Sequence, residues 1–356
     1  MGDRGYRMQE FQRILIIKPS SLGDIIHSLP VLHSLRIRFP KAHLGWFIHE
    51  RWANILSGHP DLNEIIPWSF RWSGLPRLLK VFRGKKFDLA VDLQGLFRSG
   101  VISYLSGAKV RVGFKNGREG STLFYTHPVA VPINPMHALD RYLLVAKSLG
   151  AAQTEPVCII PISREDEQTV NQLLKNIGLL DTQHFVAVSP TARWWTKRWP
   201  IDRFAQLTDL IQDSGFPVVL FGGESDIPEI QRLQALTRTS PLSVAGQTTL
   251  KQLAAFLKRS SLLITNDSGP MHLAAAVGTP VVALFGPTDP VRTGPYPHLS
   301  PLIMHTIIRK PVECSPCLSK RCRVGDHRCM ATIDVTEVFE RSRKILSQMK
   351  EVYNVH

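Results

Sequence analysis

No run of apolar residues in this 356-residue chain approaches the ~18–20 that a helix needs to cross a bilayer. The charged start, Met1 to Phe11, is not followed by the apolar core and small-residue cleavage site of a secretory leader. The apolar stretch Ile14–Ile17 is too short for either role, and the cytoplasm is therefore the expected compartment. Acidic residues are few beside basic ones, 29 against 43, for a formal net charge of +14. That excess suits polyanionic partners such as nucleic acid, anionic lipid headgroups or phosphorylated substrates, without choosing among them. Cysteine is scarce too: there are 5, and four of them cluster as Cys314-x2-Cys317-x4-Cys322-x6-Cys329. A reducing compartment argues against a disulfide framework there. A structural zinc or free thiols remain, and the irregular spacing, with no second regular pair, favours thiols.

Several chemistries lack their signatures. There is no G-x-x-x-x-G-K-[ST] loop and no G-x-G-x-x-G after the first apolar strand, which argues against P-loop kinases and dehydrogenases. No G-x-S-x-G nucleophile elbow occurs, nor any helix-turn-helix or finger signature for reading DNA.

What is present is an ordinary globular composition, 44% apolar and 20% charged, in a chain long enough that two domains are the default. Short apolar runs alternate with helical patterns throughout. Arg13–Lys18, Leu44–Ile48, Ile65–Ile66 and Leu89–Asp92 read as strands, with a helix from Asp24 to about Arg38 and another from roughly Glu50 to Ser57. A helix over Arg164–Leu174 opens a second series, with strands at Phe185–Val188, Pro217–Phe221, Leu262–Thr265 and Pro280–Phe285. Between them, Ile201–Ser214, Leu250–Lys258 and Met271–Val277 read as helices. This is an α/β chain of parallel units. It forms either two nucleotide-binding-like domains or one large doubly wound sheet, and the two halves favour the former.

Three loops, each at the carboxyl end of an expected strand, carry residues with chemistry. Thr265-Asn-Asp-Ser-Gly-Pro-Met-His272 joins a strand to a helix; its amides suit a diphosphate, and Asp267 and Ser268 are equally good helix caps. His272 reads as well as a packed core histidine. Lys18-Pro-Ser-Ser-Leu-Gly-Asp24-Ile-Ile-His27 repeats the arrangement. Asp24 there either caps the helix or takes a proton from an attacking hydroxyl. Ser189-Pro-Thr-Ala-Arg-Trp-Trp-Thr-Lys197-Arg-Trp-Pro200 offers cations, of which Lys197 or Arg198 can neutralise a departing diphosphate.

Taken together these segments resemble glycosyltransferase family 9, the lipopolysaccharide heptosyltransferases. The likeness rests on Lys18–Pro30, Asp92-Leu-Gln-Gly-Leu96, Asn266–His272 and Phe285-Gly-Pro-Thr-Asp-Pro290 with Gly294-Pro-Tyr296, in that order along the chain. The form of the first motif, with Arg118-Glu119, Leu123–Tyr125 and the stretch from His137 to Gly150, is most similar to the heptosyltransferase I branch. The cysteine cluster is not a feature of that branch.

The resemblance implies a GT-B fold of two Rossmann-like domains facing across a cleft. They comprise an acceptor domain, 1–160, a nucleotide-sugar domain, 161–334, and a C-terminal helix, 335–356, returning to the first. It implies inverting transfer of heptose from ADP-heptose to the Kdo/inner-core region of a lipid A-linked precursor. Asp24 is then the catalytic base and Lys197 the charge-neutralising partner. The donor rests on Thr191, Lys197, Glu224, Thr248, Asp267, Ser268, Gly269 and His272. Ala192 stands where the family has a hydroxyl residue, and the loop from Arg193 to Lys197 is one residue longer. The acceptor is assigned to Ser20, Ser21, Gly23, His27, Arg71, Gln94, Arg98 and Arg118. No cofactor or metal is required. Basic residues of the first domain, among them Arg71, Arg77, Lys80, Arg83, Lys85 and Lys86 with Trp68 and Trp72, are expected to meet Kdo carboxylates, lipid A phosphates and the cytoplasmic face of the inner membrane. The alternatives are a heptosyltransferase II-like transferase, a nucleotide-sugar epimerase of the same fold, and a basic nucleic-acid-binding protein, for which no module is found.

Overall fold

The computed structural model describes residues 10–69, 74–132, 134–152, 155–180, 183–296 and 305–353. Arg71 and Trp72, named above for acceptor and membrane contact, lie outside the described residues. The chain divides into two units, Met1–Pro161 and Ile162–His356.

The first unit runs β1 (Arg13–Ile17), α1 (Leu22–Arg38), β2 (His43–His49), β3 (Glu64–Trp68), α2 (Leu75–Lys85), β4 (Leu89–Asp92), α3 (Phe97–Leu105), β5 (Val110–Phe114), β6 (His127–Val129) and α4 (Ala138–Ser148). Its strands form a parallel sheet in the order β3-β2-β1-β4-β5-β6. Ile14, Leu15, Ile16 and Ile17 are all fully buried, as a central parallel strand covered by helices on both faces requires. In α1, Leu22, Ile25, Ile26, Leu29 and Leu32 are buried, while Arg36 and Arg38 close its last turn where the helix dipole favours cations.

The second unit runs α5 (Arg164–Asn176), β7 (Val186–Ser189), α6 (Ile201–Asp213), β8 (Val218–Leu220), α7 (Ile227–Leu236), β9 (Leu242–Ser243), α8 (Leu250–Arg259), β10 (Leu262–Asn266), α9 (Gly269–Ala276), β11 (Val281–Phe285), α10 (Pro290–Thr293), β12 (Thr306–Arg309), α11 (Arg328–Ala331) and α12 (Val335–Tyr353). Its parallel sheet has the order β12-β11-β10-β7-β8-β9. A reciprocal capping box starts α8: the Thr249 amide donates to Gln252 Oε1 at 2.9 Å and the Gln252 amide to Thr249 Oγ1 at 3.3 Å. The C-terminal helix, which the resemblance has returning to the first unit, buries Val338, Ile345 and Leu346 in the core of the second. There they join a cluster that includes Trp199, Phe204 and Ile333, and the helix packs against α6, β10 and β11.

Candidate active site

In each sheet the strand order reverses once, between β1 and β4 in the first and between β7 and β10 in the second. Loops leaving the carboxyl ends of two such strands diverge to opposite faces and open a crevice, the usual ligand position of a doubly wound sheet. Ile17 is in register with Asp92, and Thr265 with Ser189. The loops at 18–24 and 92–96 therefore flank one reversal, and those at 189–197 and 266–269 flank the other.

At the first reversal Asp24 lies in the opening turn of α1. Its Oδ2 accepts from the Ser21 amide at 3.1 Å and the Ser21 hydroxyl at 2.8 Å. Its Oδ1 accepts from the Tyr142 hydroxyl of α4 at 2.8 Å and lies 3.8 Å from Lys18 Nζ. Burial works to raise this carboxyl, but the Lys18 charge and the Tyr142 and Ser21 hydrogen bonds outweigh it and hold Asp24 well below the usual carboxylate range. The side chain is still 38% exposed, so the anion is both formed and reachable. The two roles open to Asp24 in the sequence are compatible, because the oxygen that tethers Ser21 is not the one that meets Tyr142.

Beside it, Asp92 is wholly buried at the end of β4. It accepts from the Tyr125 hydroxyl at 2.7 Å and from the Gln94 and Gly95 amides at 2.8 and 3.2 Å, while burial pushes its pKa up. This arrangement depends on Gly113 of β5, where a Cβ would run into the Tyr125 ring. Gly113→Ala should therefore destabilise the first unit by about 1–3 kcal/mol through overpacking, measured as a lower urea midpoint.

Of the residues assigned to the acceptor, Ser20, Ser21, Gly23, Gln94, Arg98 and Arg118 fall on loops or first helical turns at this one edge of the sheet, and His27 lies in the second turn of α1. Arg98 and Arg118 are exposed, and the Arg118 amide donates to Gly95 O at 2.9 Å, tying the loop after β5 to the loop after β4. Gly23 and His27 are buried. The His27 ring meets that of His137 edge-on at 4.8 Å, which makes it part of the α1–α4 packing.

At the second reversal the Lys197 ammonium lies 2.6 Å from Asp267 Oδ2 and 4.9 Å over the Trp194 ring. Asp267 is 3% exposed and its Oδ2 also accepts from Thr288 Oγ1 at 2.6 Å. Asn266 locks the two loops together: its Oδ1 accepts from the Trp199 amide at 3.0 Å, and its Nδ2 donates to Pro190 O at 2.8 Å. Arg198, the other cation considered for a diphosphate, is engaged instead with Ala192 O at 2.8 Å. The amide of Asp267 donates to Leu284 O at 3.1 Å, so that member of the expected anion-binding amides is already held by the sheet. Ser268 caps α9 in an extended conformation, and its hydroxyl is 3.2 Å from that of Thr265.

Residues 75–327 match the sequence profile of Glycosyltransferase family 9 (heptosyltransferase). The chain belongs to glycosyltransferase family 9. It is 28% identical to lipopolysaccharide core heptosyltransferase OpsX of Haemophilus influenzae, over 82% of this chain and 83% of that one. It is 30% identical to lipopolysaccharide heptosyltransferase 1 of Escherichia coli K12, over 80% and 91%. Among solved structures it resembles E. coli ADP-heptose lipopolysaccharide heptosyltransferase II, at 25% identity and a TM-score of 0.78, over 95% of this chain and 100% of that one. The protein is thus a glycosyltransferase with the GT-B class of fold.

In this family 9 enzyme, Thr191 and His272 are buried near the second reversal. Glu224 and Thr248 stand farther along the same edge, on the loops after β8 and β9, two and three strands from β10. Glu224 is exposed and Thr248 half-buried. Lys320 had no signal in the sequence, and Tyr125, Tyr142 and Thr288 lay in stretches that carry the resemblance without being assigned a role. Lys320 lies 5.6 Å from the same Trp194 ring that Lys197 covers. The only hint of Thr288 was its place in the Phe285–Pro290 motif. All five cysteines are free. Cys314, Cys317, Cys322 and Cys329 line a cavity of about 200 Å³ with Thr196 and His327. As arranged, the described residues contain no group of three or more His, Cys, Asp or Glu side chains placed to hold a metal ion. The cysteine-bearing segment does buttress the Lys197 turn: Thr196 Oγ1 donates to Ser319 O at 2.9 Å, and His327 Nε2 meets Thr196 O at 2.6 Å.

Proposed function

We propose that the enzyme transfers heptose, with inversion, from ADP-heptose to the Kdo/inner-core region of a lipid A-linked lipopolysaccharide precursor. The observation that carries this reading is the Asp24 carboxylate, ionised and part-exposed on the loop edge of the first sheet. In the proposed step an acceptor hydroxyl oxygen attacks the anomeric carbon from the face opposite ADP as Asp24 takes its proton. The bond from that carbon to the ADP oxygen breaks, and the electron pair leaves on the diphosphate. Lys197, held by Asp267, offsets the charge that develops there. The activated donor needs no separate acid, so one carboxylate suffices, and the scheme calls on no cofactor. The donor is supported by the family and by the name of the E. coli structure, ADP-heptose lipopolysaccharide heptosyltransferase II. The acceptor class is supported by relatives named as lipopolysaccharide heptosyltransferases.

The reading includes attachment to the cytoplasmic surface of the inner membrane through basic side chains of the first unit. Lys80, Arg83, Lys86, Arg98, Lys115 and Arg118 are exposed. Others are occupied: Lys85 pairs with Glu64, and Arg111 donates to Phe124 O and Ala108 O. No helix among the described residues is long and apolar enough to cross a membrane. Salt-sensitive cosedimentation with anionic vesicles, and none with neutral ones, is the expected result.

Mass spectrometry of Kdo-containing lipid A incubated with the enzyme and ADP-heptose tests the whole reading. A gain of one heptosyl mass is expected, with no transfer from a UDP-sugar. Transfer only to an acceptor that already carries heptose would move the assignment to a heptosyltransferase II-like reaction. No transfer to either acceptor would overturn the proposal.

A further inference from the structure

We propose that Tyr142 and Lys18 are positioning residues that leave a single site on Asp24, on its Oδ1, to receive the acceptor's proton. This rests on the reading of Asp24 as the base and specifies how that base is set. An ionised carboxylate offers about two acceptor sites on each oxygen. On Oδ2 both are taken, by the amide and the hydroxyl of Ser21 at 3.1 and 2.8 Å. On Oδ1 one is taken by Tyr142 at 2.8 Å. One site remains.

The direction of the Tyr142 proton is forced by its other partner. Lys18 Nζ is 2.9 Å from the Tyr142 oxygen and 2.9 Å from Leu93 O, and an ammonium only donates. Tyr142 must therefore accept from Lys18 and turn its own proton onto Asp24. Such a chain polarises along its length, Lys18 to Tyr142 to Asp24, and each bond strengthens the next. Lys18 is 3% exposed, sits over the Tyr142 ring at 4.6 Å, and is fixed at the end of a central strand, so the chain has little room to reorient. Tyr142 reaches the site from α4, whose packing against α1 is among the most extensive in the unit. The base is thereby oriented by a residue 118 positions away in sequence.

The test is Tyr142→Phe, which removes one oxygen and keeps the ring, assayed beside Asp24→Ala with ADP-heptose and Kdo-lipid A. A fall in kcat of about 10- to 100-fold is expected, the loss of one charge-assisted hydrogen bond, with KM for both substrates within about 2-fold. Removing a donor from the anion raises the Asp24 pKa, so the acid limb of the kcat/KM profile should move to higher pH than in the unmodified enzyme. Lys18→Met, which removes the donor to Tyr142, should shift that limb in the same direction and serves if Tyr142→Phe does not fold. An unchanged kcat and acid limb in a folded variant, or a change confined to KM, would overturn the assignment. If Asp24→Ala abolishes turnover while both positioning variants are silent, the base stands and only the positioning chain fails. If Asp24→Ala turns over normally, both fall.

Discussion

Replacing Asp24 by Ala should lower kcat by roughly 10²–10⁴-fold, the range typical of a positioned general base. ADP affinity should change little, because the Asp24 carboxylate is bonded within the first unit, to Ser21, Tyr142 and Lys18, whereas the proposed donor residues belong to the second. The expectation follows from the state of the carboxylate. It is an anion held by two hydroxyls, an amide and a nearby ammonium, yet 38% of the side chain reaches solvent. Because its pKa is lowered on folding, the native state binds this proton less tightly than the unfolded chain does. The stability it contributes is therefore complete above the unfolded value, ~3.9, and is lost as pH falls through the lower folded one. The Asp24→Ala protein should accordingly lose part of the acid-dependent stability of the parent, seen as a flatter dependence of the urea midpoint on pH below ~4. A variant that keeps near-normal turnover would remove Asp24 from the chemistry.

Lys197→Ala should have the second large effect, and it has two separable parts. Loss of the ammonium proposed to offset charge on the leaving diphosphate should reduce kcat/KM by about 10²–10³-fold, as for other preorganised charge stabilisers. It also strands Asp267, 3% exposed, with Thr288 as its remaining side-chain partner. Breaking a buried pair in this way commonly costs about 3–5 kcal/mol. Asp267→Asn avoids the stranded charge and should lose less stability while still leaving Lys197 unanchored. Urea unfolding of the two variants measures the first contrast, and calorimetric titration with ADP the second. Equal stability of Lys197→Ala and the parent would mean that the carboxylate is not held by this pair in solution.

The chain's strongly patterned segments are legible without coordinates. The apolar runs at 13–18, 89–92, 262–265 and 280–285 coincide with β1, β4, β10 and β11, because a strand covered on both faces must be apolar at nearly every position. Helices α1, α5, α6 and α8 follow from apolar spacing and capping residues, as at Thr249 with Gln252. Three of the four sheet edges, β6, β9 and β12, were not legible, nor was β5 beside β6, whereas the edge strand β3 was read at Ile65–Ile66. β5 carries Arg111 and Gly113, β6 is only His127–Val129 with Pro128 in it, β9 is Leu242–Ser243, and β12 begins only at Thr306. Short edge strands lack both length and alternation, so periodicity has nothing to register. The α4 helix also went unread, and with it Tyr142, the residue that orients Asp24.

The sequence by itself determined that this is a parallel α/β protein of family 9, and it placed the candidate site residues on three strand-ending loops, since strand burial and loop composition are local properties. Which loops meet was decided only by tertiary structure. The reversals of strand order at β1/β4 and β7/β10 join residues far apart in the chain, Lys18 to Leu93 and Lys197 to Asp267, and the packing of α4 on α1 joins Asp24 to Tyr142. Those pairings depend on sheet order and helix packing, and it is their charges and hydrogen bonds, not the residues alone, that set the ionisation of Asp24 and the anchoring of Lys197.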